Sequence, residues 1–484
     1  MKDAVFMSVM RSRIPYYTFL AFCVIWYCGN TLFWHHSPVS MKIDGLSLTF
    51  NSMMDHLLHG RFDVDPDTVG KEGFLRDGRV YAYWGIFPAL LRLPLIFLPN
   101  GLHIDITRLS CAMAAVLMFF INYRTVRYIG QYALQNLPWM KTLLLVAVSF
   151  TGVQICFLRP SLYQEVCLWS LVFGMCFVQW AVRASLQPRE TPKALIWMAV
   201  ASVLALLTRV SMGIGLYAAE SLFGLLVLWR CWRNVSAGDT VVPRSWLRYC
   251  AMAILILVVG VALTAVINFE RWGNPLTFAN YNLYLFNAEF PDRLVRTARY
   301  GLFNVQRIPL GLLYFFFPVW AFQNGEGRLY FQDAFSRLVD AAELPPSSFF
   351  LTDGFFILLG VVFIISLMKQ GRQASGVRGA SVAIMAGLAI PAVLMLMAIS
   401  MNFRYRAEFY PVMLYAGFMG AVSVARNCDD GKLLKSVSIY LVVMGVISSH
   451  FILLLYDWSK LGPASHLIQH GVVNYYLSHI GLNS

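Results

Sequence analysis

Charge is scarce in this sequence of 484 residues: only 13% are Asp, Glu, Lys or Arg, whereas 58% are hydrophobic. A soluble domain of average composition has about 25% charged residues. A chain this apolar cannot hide its surplus in one soluble core. Uncharged runs such as 249–268 reach the length, about 20 residues, at which a helix crosses a bilayer. The composition therefore excludes a soluble enzyme and a secreted disulfide scaffold, and it predicts an all-α polytopic membrane protein.

Paired cysteines are also lacking. None of the nine cysteines is spaced as CxxC, so neither a zinc site nor a redox motif is indicated. The acidic run DVDPDT at 63–68 suggests clustered carboxylates for a hard cation, but its acids alternate along an extended loop and Pro66 favours a turn. We therefore predict no metal ligands and expect no cofactor. A divalent metal remains an open alternative that no ligand pattern indicates.

The net charge is strongly positive, at +13. In a soluble chain this charge would suggest nucleic acid, but in a membrane protein it reflects basic cytoplasmic loops, so no nucleic-acid partner is predicted. The hydrophobic pattern indicates about eleven transmembrane helices. We predict spans at 17–34, 106–122, 142–158, 163–183, 194–208, 211–229, 249–268, 351–368, 380–401, 408–425 and 436–456.

The basic residues also predict the orientation. With the N-terminus inside, every inside loop carries at least three Lys or Arg residues, as the positive-inside rule requires. Segments 85–99 and 308–322 are left out as proline-containing segments suited to the interface, because counting either one as a span would place basic loops outside. The prediction is one integral membrane domain, 1–484, with large external regions at 35–105 and 269–350.

The first external region has an ordered series of elements. Asp44 comes soon after the first span and opens an amphipathic stretch, where an acid at a helix N-terminus could have a purely electrostatic role. It is followed by Leu57 to Gly60, then Pro66, then Gly78 to Tyr81, then the aromatic and proline-containing segment Tyr83 to Pro88. This order resembles the first external loop of the GT-C glycosyltransferases, in the bacterial branch that includes lipid A aminoarabinose transferase and the protein O-mannosyltransferases.

Two departures from the family pattern lie in this loop. Gly45 stands where a second acid usually follows the first, and Gly85-Ile86-Phe87-Pro88 replaces the usual Lys-Pro-Pro. The resemblance implies a GT-C-like fold and transfer of a sugar from a polyprenyl-phosphate donor to a glycan or lipid acceptor of the cell envelope. It also implies a bacterial inner membrane, with the N-terminus in the cytoplasm and the reaction on the external face.

The resemblance places Asp44 at the reaction centre. An inverting transfer needs a carboxylate that takes the proton of the attacking hydroxyl. The second family acid corresponds to Glu165, in the turn RPSLYQEV between spans 3 and 4, so both are candidate catalytic residues. An acid at the edge of an apolar span is costly unless it is paired, and the alternative for Glu165 is a structural ion pair with Arg159.

The leaving group is a phosphate, so cationic residues are expected where its charge develops. The candidates for donor phosphate binding are Arg159, Arg299, Arg404 and Arg406. Arg404 and Arg406 lie at the outer boundary between spans 9 and 10, where arginines also snorkel without a function.

Arg299 belongs to a series with Arg293 and Arg296, spaced to form one cationic ridge on a helix. The alternative partner of this ridge is an anionic lipid headgroup. The aromatic candidates for contact with the sugar or acceptor are Tyr81, Tyr83, Tyr163 and Tyr284.

Two other classes of membrane protein remain as alternatives. A transporter or flippase for lipid-linked saccharides predicts internal repeats with broken helices in matching halves, and no such symmetry is found. A polymerase of lipid-linked saccharides would share the arginine-rich external loops, but it gives no reason for the Asp44 loop pattern.

Overall fold

The computed structural model describes most of the chain. The described residues are 2–32, 46–158, 160–233, 236–237, 240–241, 243–317, 332–342, 348–369, 375–427 and 431–458. Within them the protein is predominantly helical, as the apolar composition predicts.

Each of the eleven predicted spans coincides with a helix. These long helices are α1 Lys2–Leu32, α5 Thr107–Tyr132, α6 Pro138–Phe150, α7 Leu162–Leu186, α8 Thr191–Leu206, α9 Val210–Arg233, α10 Leu247–Trp272, α15 Gly354–Lys369, α16 Ser375–Met397, α17 Tyr410–Asn427 and α18 Lys432–Trp458. The remaining helices are short: α2 Thr49–Leu58, α3 Pro66–Val69, α4 Phe87–Leu90, α11 Pro291–Tyr300, α12 Ile308–Phe316, α13 Gln332–Leu338 and α14 Phe349–Thr352.

Seven segments are long and apolar enough to cross a membrane by length and composition. They are Thr107–Tyr132, Pro138–Phe157, Leu162–Leu186, Val210–Arg233, Arg244–Trp272, Arg378–Met397 and Lys432–Leu453. The other four predicted spans fall on α1, α8, α15 and α17, which lie outside this set. The protein is therefore an all-α protein with membrane-spanning helices, and the count of eleven stays a prediction.

In the part of the chain that the structure describes, the two segments left out of the span count form short helices. The first is broken into α4 and a 3-10 helix, Leu93–Phe97, because its prolines interrupt the hydrogen-bond ladder. The second contains α12, whose nine residues rise only about 13 Å at 1.5 Å per residue. Neither helix reaches across a hydrocarbon layer of about 30 Å.

In the described residues, small two-stranded sheets lie in the segments between the long helices. The strands are β1 Phe74–Arg76, β2 Arg79–Tyr81, β3 Ser236–Ala237, β4 Thr240–Val241, β5 Ala341–Ala342 and β6 Ser400–Met401. The antiparallel β1–β2 hairpin pairs Phe74 with Tyr81. Its two-residue turn, Asp77-Gly78, has positive φ at both positions, which is the conformation that favours Asp-Gly in a tight hairpin.

The helices pack closely around α7, which is almost wholly buried between α5, α8 and α17. Small residues permit this packing in other pairs. A Cβ at Gly420 on α17 would lie 2.0 Å from the carbonyl oxygen of Leu359 on α15, so only glycine allows the two backbones to approach this closely. Close approach at small residues is typical of helix packing in membranes.

Candidate active site

The two regions predicted to be external, 35–105 and 269–350, contact each other. Phe74 of β1 forms an isolated bridge with Tyr284, and the amide of Leu285 donates to the carbonyl of Gly73 at 3.0 Å. An exposed ion pair between Lys71 and Glu289 joins the same two segments. These contacts hold the hairpin of the first region against the 3-10 turns of the second.

Five tyrosines gather at this junction, and we call them the tyrosine cluster: Tyr83, Tyr163, Tyr281, Tyr284 and Tyr405. Tyr163 lies in the first turn of α7, whereas the others come from the external regions and from the turn before α17. The ring centres of Tyr281 and Tyr284 are 5.6 Å apart. Phe74 lies 5.7 Å from Tyr83 and 4.8 Å from Tyr284, and Trp84 lies 4.6 Å from Tyr83 and 5.6 Å from Tyr163. The cluster therefore brings three predicted substrate-binding tyrosines, Tyr83, Tyr163 and Tyr284, into one place.

A carboxylate that the sequence did not single out lies within the tyrosine cluster. Glu72 is half-buried and accepts a hydrogen bond from the hydroxyl of Tyr284 at 2.6 Å. This hydroxyl donor helps to fix the position of the carboxylate.

The loop tyrosines stay protonated at neutral pH. Burial, together with the charge of Glu72, raises the pKa of Tyr284 well above its usual value. Burial raises the pKa of Tyr281 to about 12, and burial followed by neighbouring tyrosines and Glu72 raises the pKa of Tyr83. Their hydroxyls are therefore available as neutral hydrogen-bond donors and acceptors.

Two arginines stack against the tyrosine cluster. The guanidinium carbon of Arg404 lies 4.6 Å from the ring centre of Tyr163 and 5.3 Å from that of Tyr405. Arg209 lies 4.9 Å from the ring of Tyr405 and is paired with buried Glu408. These distances are typical of cation–π contacts, which orient a guanidinium while leaving its charge at the site.

The predicted cationic ridge is a helix, α11, but its arginines have different contacts. Arg293 and Arg296 both pair with Asp340, at 2.8 and 2.6 Å, and Arg293 also lies 4.9 Å from the ring of Tyr284. Arg299 is exposed and lies over Tyr300, outside the tyrosine cluster. Arg293 therefore approaches the cluster, whereas the predicted phosphate ligand Arg299 does not contact it in the described residues.

Glu165 forms a buried ion pair with Arg92, whereas the predicted partner Arg159 lies outside the described residues. Both side chains are fully buried, and Arg92 donates to both carboxylate oxygens of Glu165. Arg92 also donates to the carbonyl of Pro88 at 3.0 Å and to the side chain of Asn51 at 3.3 Å. With both oxygens occupied and no exposure, this geometry favours a structural role for Glu165 over the predicted catalytic one.

Arg406 is also held in a buried network. It donates to Asp353 at 2.8 Å and to the hydroxyl of Thr352 at 2.6 Å. Its guanidinium carbon lies 4.0 Å from the ring centre of Phe349. Asp353 packs against Gly152, where a Cβ would collide with the carboxylate. The geometry favours a structural role for Arg406 over the predicted phosphate contact.

The remaining predicted site residues lie elsewhere. Tyr81 is buried and packs against Trp272, with ring centres 6.2 Å apart, so it supports the hairpin from behind. Asp44 and Arg159 lie outside the described residues.

The acidic run at 63–68 has protein partners. Asp63 and Asp65 lie 3.2 and 3.3 Å from the two ring nitrogens of His56, and Asp65 also accepts from the hydroxyl of Ser52 at 2.8 Å. Within the described part of the chain, no group of three or more His, Cys, Asp or Glu residues is arranged to hold a metal ion.

Comparisons with known proteins give a distant structural similarity. No protein-family model and no curated protein sequence matches this chain. Crystal structures of an oligosaccharyltransferase from the archaeon Archaeoglobus fulgidus are similar to it. The apo form of that enzyme is 10% identical to this chain, with a TM-score of 0.43, and the match covers 92% of this chain and 56% of that chain. For the enzyme, AglB, in complex with an inhibitory peptide and a dolichol-phosphate, the identity is 11%, with the same TM-score and coverage.

The chain thus spans about half the length of the solved structures that it matches. Oligosaccharyltransferase AglB is a GT-C glycosyltransferase, the superfamily that the first external loop resembles. These TM-scores lie below 0.5. The proposed function therefore rests on the loop motif and on the contacts of the site.

Proposed function

We propose that this protein is an inverting membrane glycosyltransferase of the GT-C type. It moves a sugar from a polyprenyl-phosphate donor to a glycan or lipid acceptor of the cell envelope, on the external face of a bacterial inner membrane. The observation that carries the proposal is Arg404, stacked on Tyr163 and Tyr405 in the tyrosine cluster, whose member Tyr284 donates a hydrogen bond to the Glu72 carboxylate. The cation suits the phosphate of a lipid-linked sugar, the aromatic faces suit its ring, and the carboxylate suits its hydroxyl groups.

In the proposed reaction, the acceptor hydroxyl attacks the anomeric carbon of the donor sugar. The bond from that carbon to the phosphate oxygen breaks, and its electron pair stays with the polyprenyl phosphate. The proton of the acceptor hydroxyl passes to Asp44, the base assigned from the loop resemblance. The guanidinium of Arg404 stabilises the negative charge that develops on the leaving phosphate.

The tyrosine cluster suits the sugar part of the donor. Tyrosine rings offer apolar faces to a sugar ring, and the protonated hydroxyls of Tyr281 and Tyr284 offer hydrogen bonds. Arg209 and Arg404 both lie over the ring of Tyr405, at 4.9 and 5.3 Å, and Arg209 is paired with Glu408. Arg404 carries the phosphate contact in this proposal because it also stacks on Tyr163 of the tyrosine cluster.

Replacing Arg404 by Ala is expected to weaken donor binding about tenfold to a hundredfold, because a hydrogen bond to a charged group is worth about 1.5–3 kcal/mol. The measurement is the donor concentration needed for half-maximal transfer by purified protein. Arg299→Ala is the matched control, since Arg299 is exposed and outside the tyrosine cluster. Unchanged donor saturation in Arg404→Ala, at normal protein level, would show that this arginine only anchors the protein at the interface.

The proposed orientation has its own test. Reporter fusions at Arg189 or Thr240 should report the cytoplasm, and a fusion at His103 should report the external side, because the basic loops face inside. A fusion at Thr240 that reports the external side would overturn the topology, whatever the activity of the protein.

A further inference from the structure

We infer that Glu72 binds the sugar of the donor and determines which sugar is accepted. This sugar presents hydroxyl groups rather than a carboxylate to the tyrosine cluster. The inference rests on the function proposed above and assigns a specificity role to a residue of the first external region. The hydroxyl of Tyr284 donates a hydrogen bond to the Glu72 carboxylate at 2.6 Å.

The hydrogen bonds of Glu72 decide what it can bind. An ionised carboxylate only accepts hydrogen bonds, and its two oxygens offer about four acceptor positions. The Tyr284 hydroxyl uses one of these positions, and the side chain is half-buried rather than enclosed. The remaining positions suit the O–H donors of a sugar, whereas a sugar carboxylate would face a like charge.

The surroundings of Glu72 keep it in place. The next residue but one, Phe74, packs against Tyr284 with ring centres 4.8 Å apart. The amide of Leu285 donates to the carbonyl of Gly73, directly after Glu72. The backbone on both external regions is therefore fixed around the carboxylate, which is the arrangement that a specificity contact needs.

The division of the site into two parts gives the inference its test. Arg404 contacts Tyr163 and Tyr405 and carries the contact to the phosphate, whereas Glu72 contacts the hydroxyl of Tyr284. A ligand that has the phosphate but no sugar should therefore depend on Arg404 and be indifferent to Glu72. A ligand that has both should depend on both residues.

The experiment measures binding of undecaprenyl phosphate, bare or carrying glucose, galactose or mannose, to the full-length protein in nanodiscs. The wild type should bind at least one glycosylated lipid more tightly than the bare lipid. Glu72→Gln should remove this gain in affinity, which we expect to be about tenfold to a hundredfold. It should leave the affinity for the bare lipid unchanged. Arg404→Ala should weaken the binding of both the bare lipid and the glycosylated lipid.

Two variants separate recognition from structural damage. Glu289→Gln changes an exposed glutamate of the same loop junction, paired with Lys71, and should leave both affinities unchanged. Tyr284→Phe keeps the ring but removes one hydroxyl from Glu72, and it should reduce the sugar-dependent gain in part.

The outcomes are distinguishable. If the wild type gains nothing from any of the three sugars, or if Glu72→Gln keeps the gain, the inference about Glu72 is wrong while the phosphate site stands. Equal losses for bare and glycosylated lipids in Glu72→Gln would also contradict it, because they indicate a collapsed site. If the wild type does not bind undecaprenyl phosphate at all, the proposed function itself fails, and the inference with it.

Discussion

Replacing Asp44 by Asn is expected to lower the turnover number about 10²–10⁴-fold, the contribution of a positioned general base. The amide keeps the shape and most of the polar contacts of the carboxylate, but it cannot accept the proton of the acceptor hydroxyl. Protein level and donor affinity should stay near those of the wild type. The measurement is transfer by purified protein at saturating donor, together with donor binding.

The competing interpretation of Asp44 makes a different prediction. If the acid only favours the helix N-terminus, its charge is worth about 0.3–1 kcal/mol, and Asn caps a helix nearly as well as Asp. Asp44→Asn would then keep almost full activity. Asp55→Asn is the matched control, because Asp55 lies on α2 in the same region and is half-exposed beside His59. Near-normal transfer by Asp44→Asn would remove the catalytic assignment.

Much of the fold follows from patterns that are local in the sequence. The uncharged runs predicted helices at all eleven span positions, and the spacing of Arg293, Arg296 and Arg299 predicted the helix α11. The prolines of 85–99 predicted an interfacial segment, and this segment is divided into α4 and a 3-10 helix; that it does not span the membrane stays a prediction. Each of these depends on neighbouring residues and on the solvent around them, so no long-range information was needed.

The ionic partners were not accessible in the same way. Glu165 pairs with Arg92, 73 residues earlier in the sequence, and Arg406 pairs with Asp353, 53 residues earlier. Such a pair forms because a buried charge needs a partner of opposite sign, but local spacing cannot choose among several arginines. Glu165 has a partner, as an acid at the edge of an apolar span requires, and the pair with Arg159 stays a prediction because Arg159 lies outside the described residues.

The residues missed at the site show the same limit. Arg209 lies at a short turn between two predicted spans, as Arg404 does. The expectation that an arginine at such an outer turn binds the donor phosphate, applied to both turns, would have found Arg209. Glu72 lies in a loop with many charges, and nothing in its local sequence marks it. Only the packing of the β1–β2 hairpin against Tyr284 brings this carboxylate to the tyrosines.

Breaking the buried pair of Arg92 and Glu165 is expected to be the most destabilising change, at about 3–5 kcal/mol, because one partner leaves an uncompensated buried charge. Arg92→Met should therefore lower the thermal unfolding temperature and the yield of folded protein in detergent. Glu165→Leu should do the same, since Arg92 then lacks its carboxylate. The measurement is thermal unfolding of the purified variants.

The double variant Arg92→Met with Glu165→Leu distinguishes a structural pair from a catalytic acid. Replacing a whole buried ion pair by apolar side chains of similar volume is often neutral or stabilising, so the double variant should recover most of the stability lost by either single change. If Glu165 is only structural, transfer activity should return with stability, because the tyrosine cluster, Arg404 and Asp44 are unchanged. A double variant that is stable but inactive would instead assign Glu165 to the chemistry, as the loop resemblance implies.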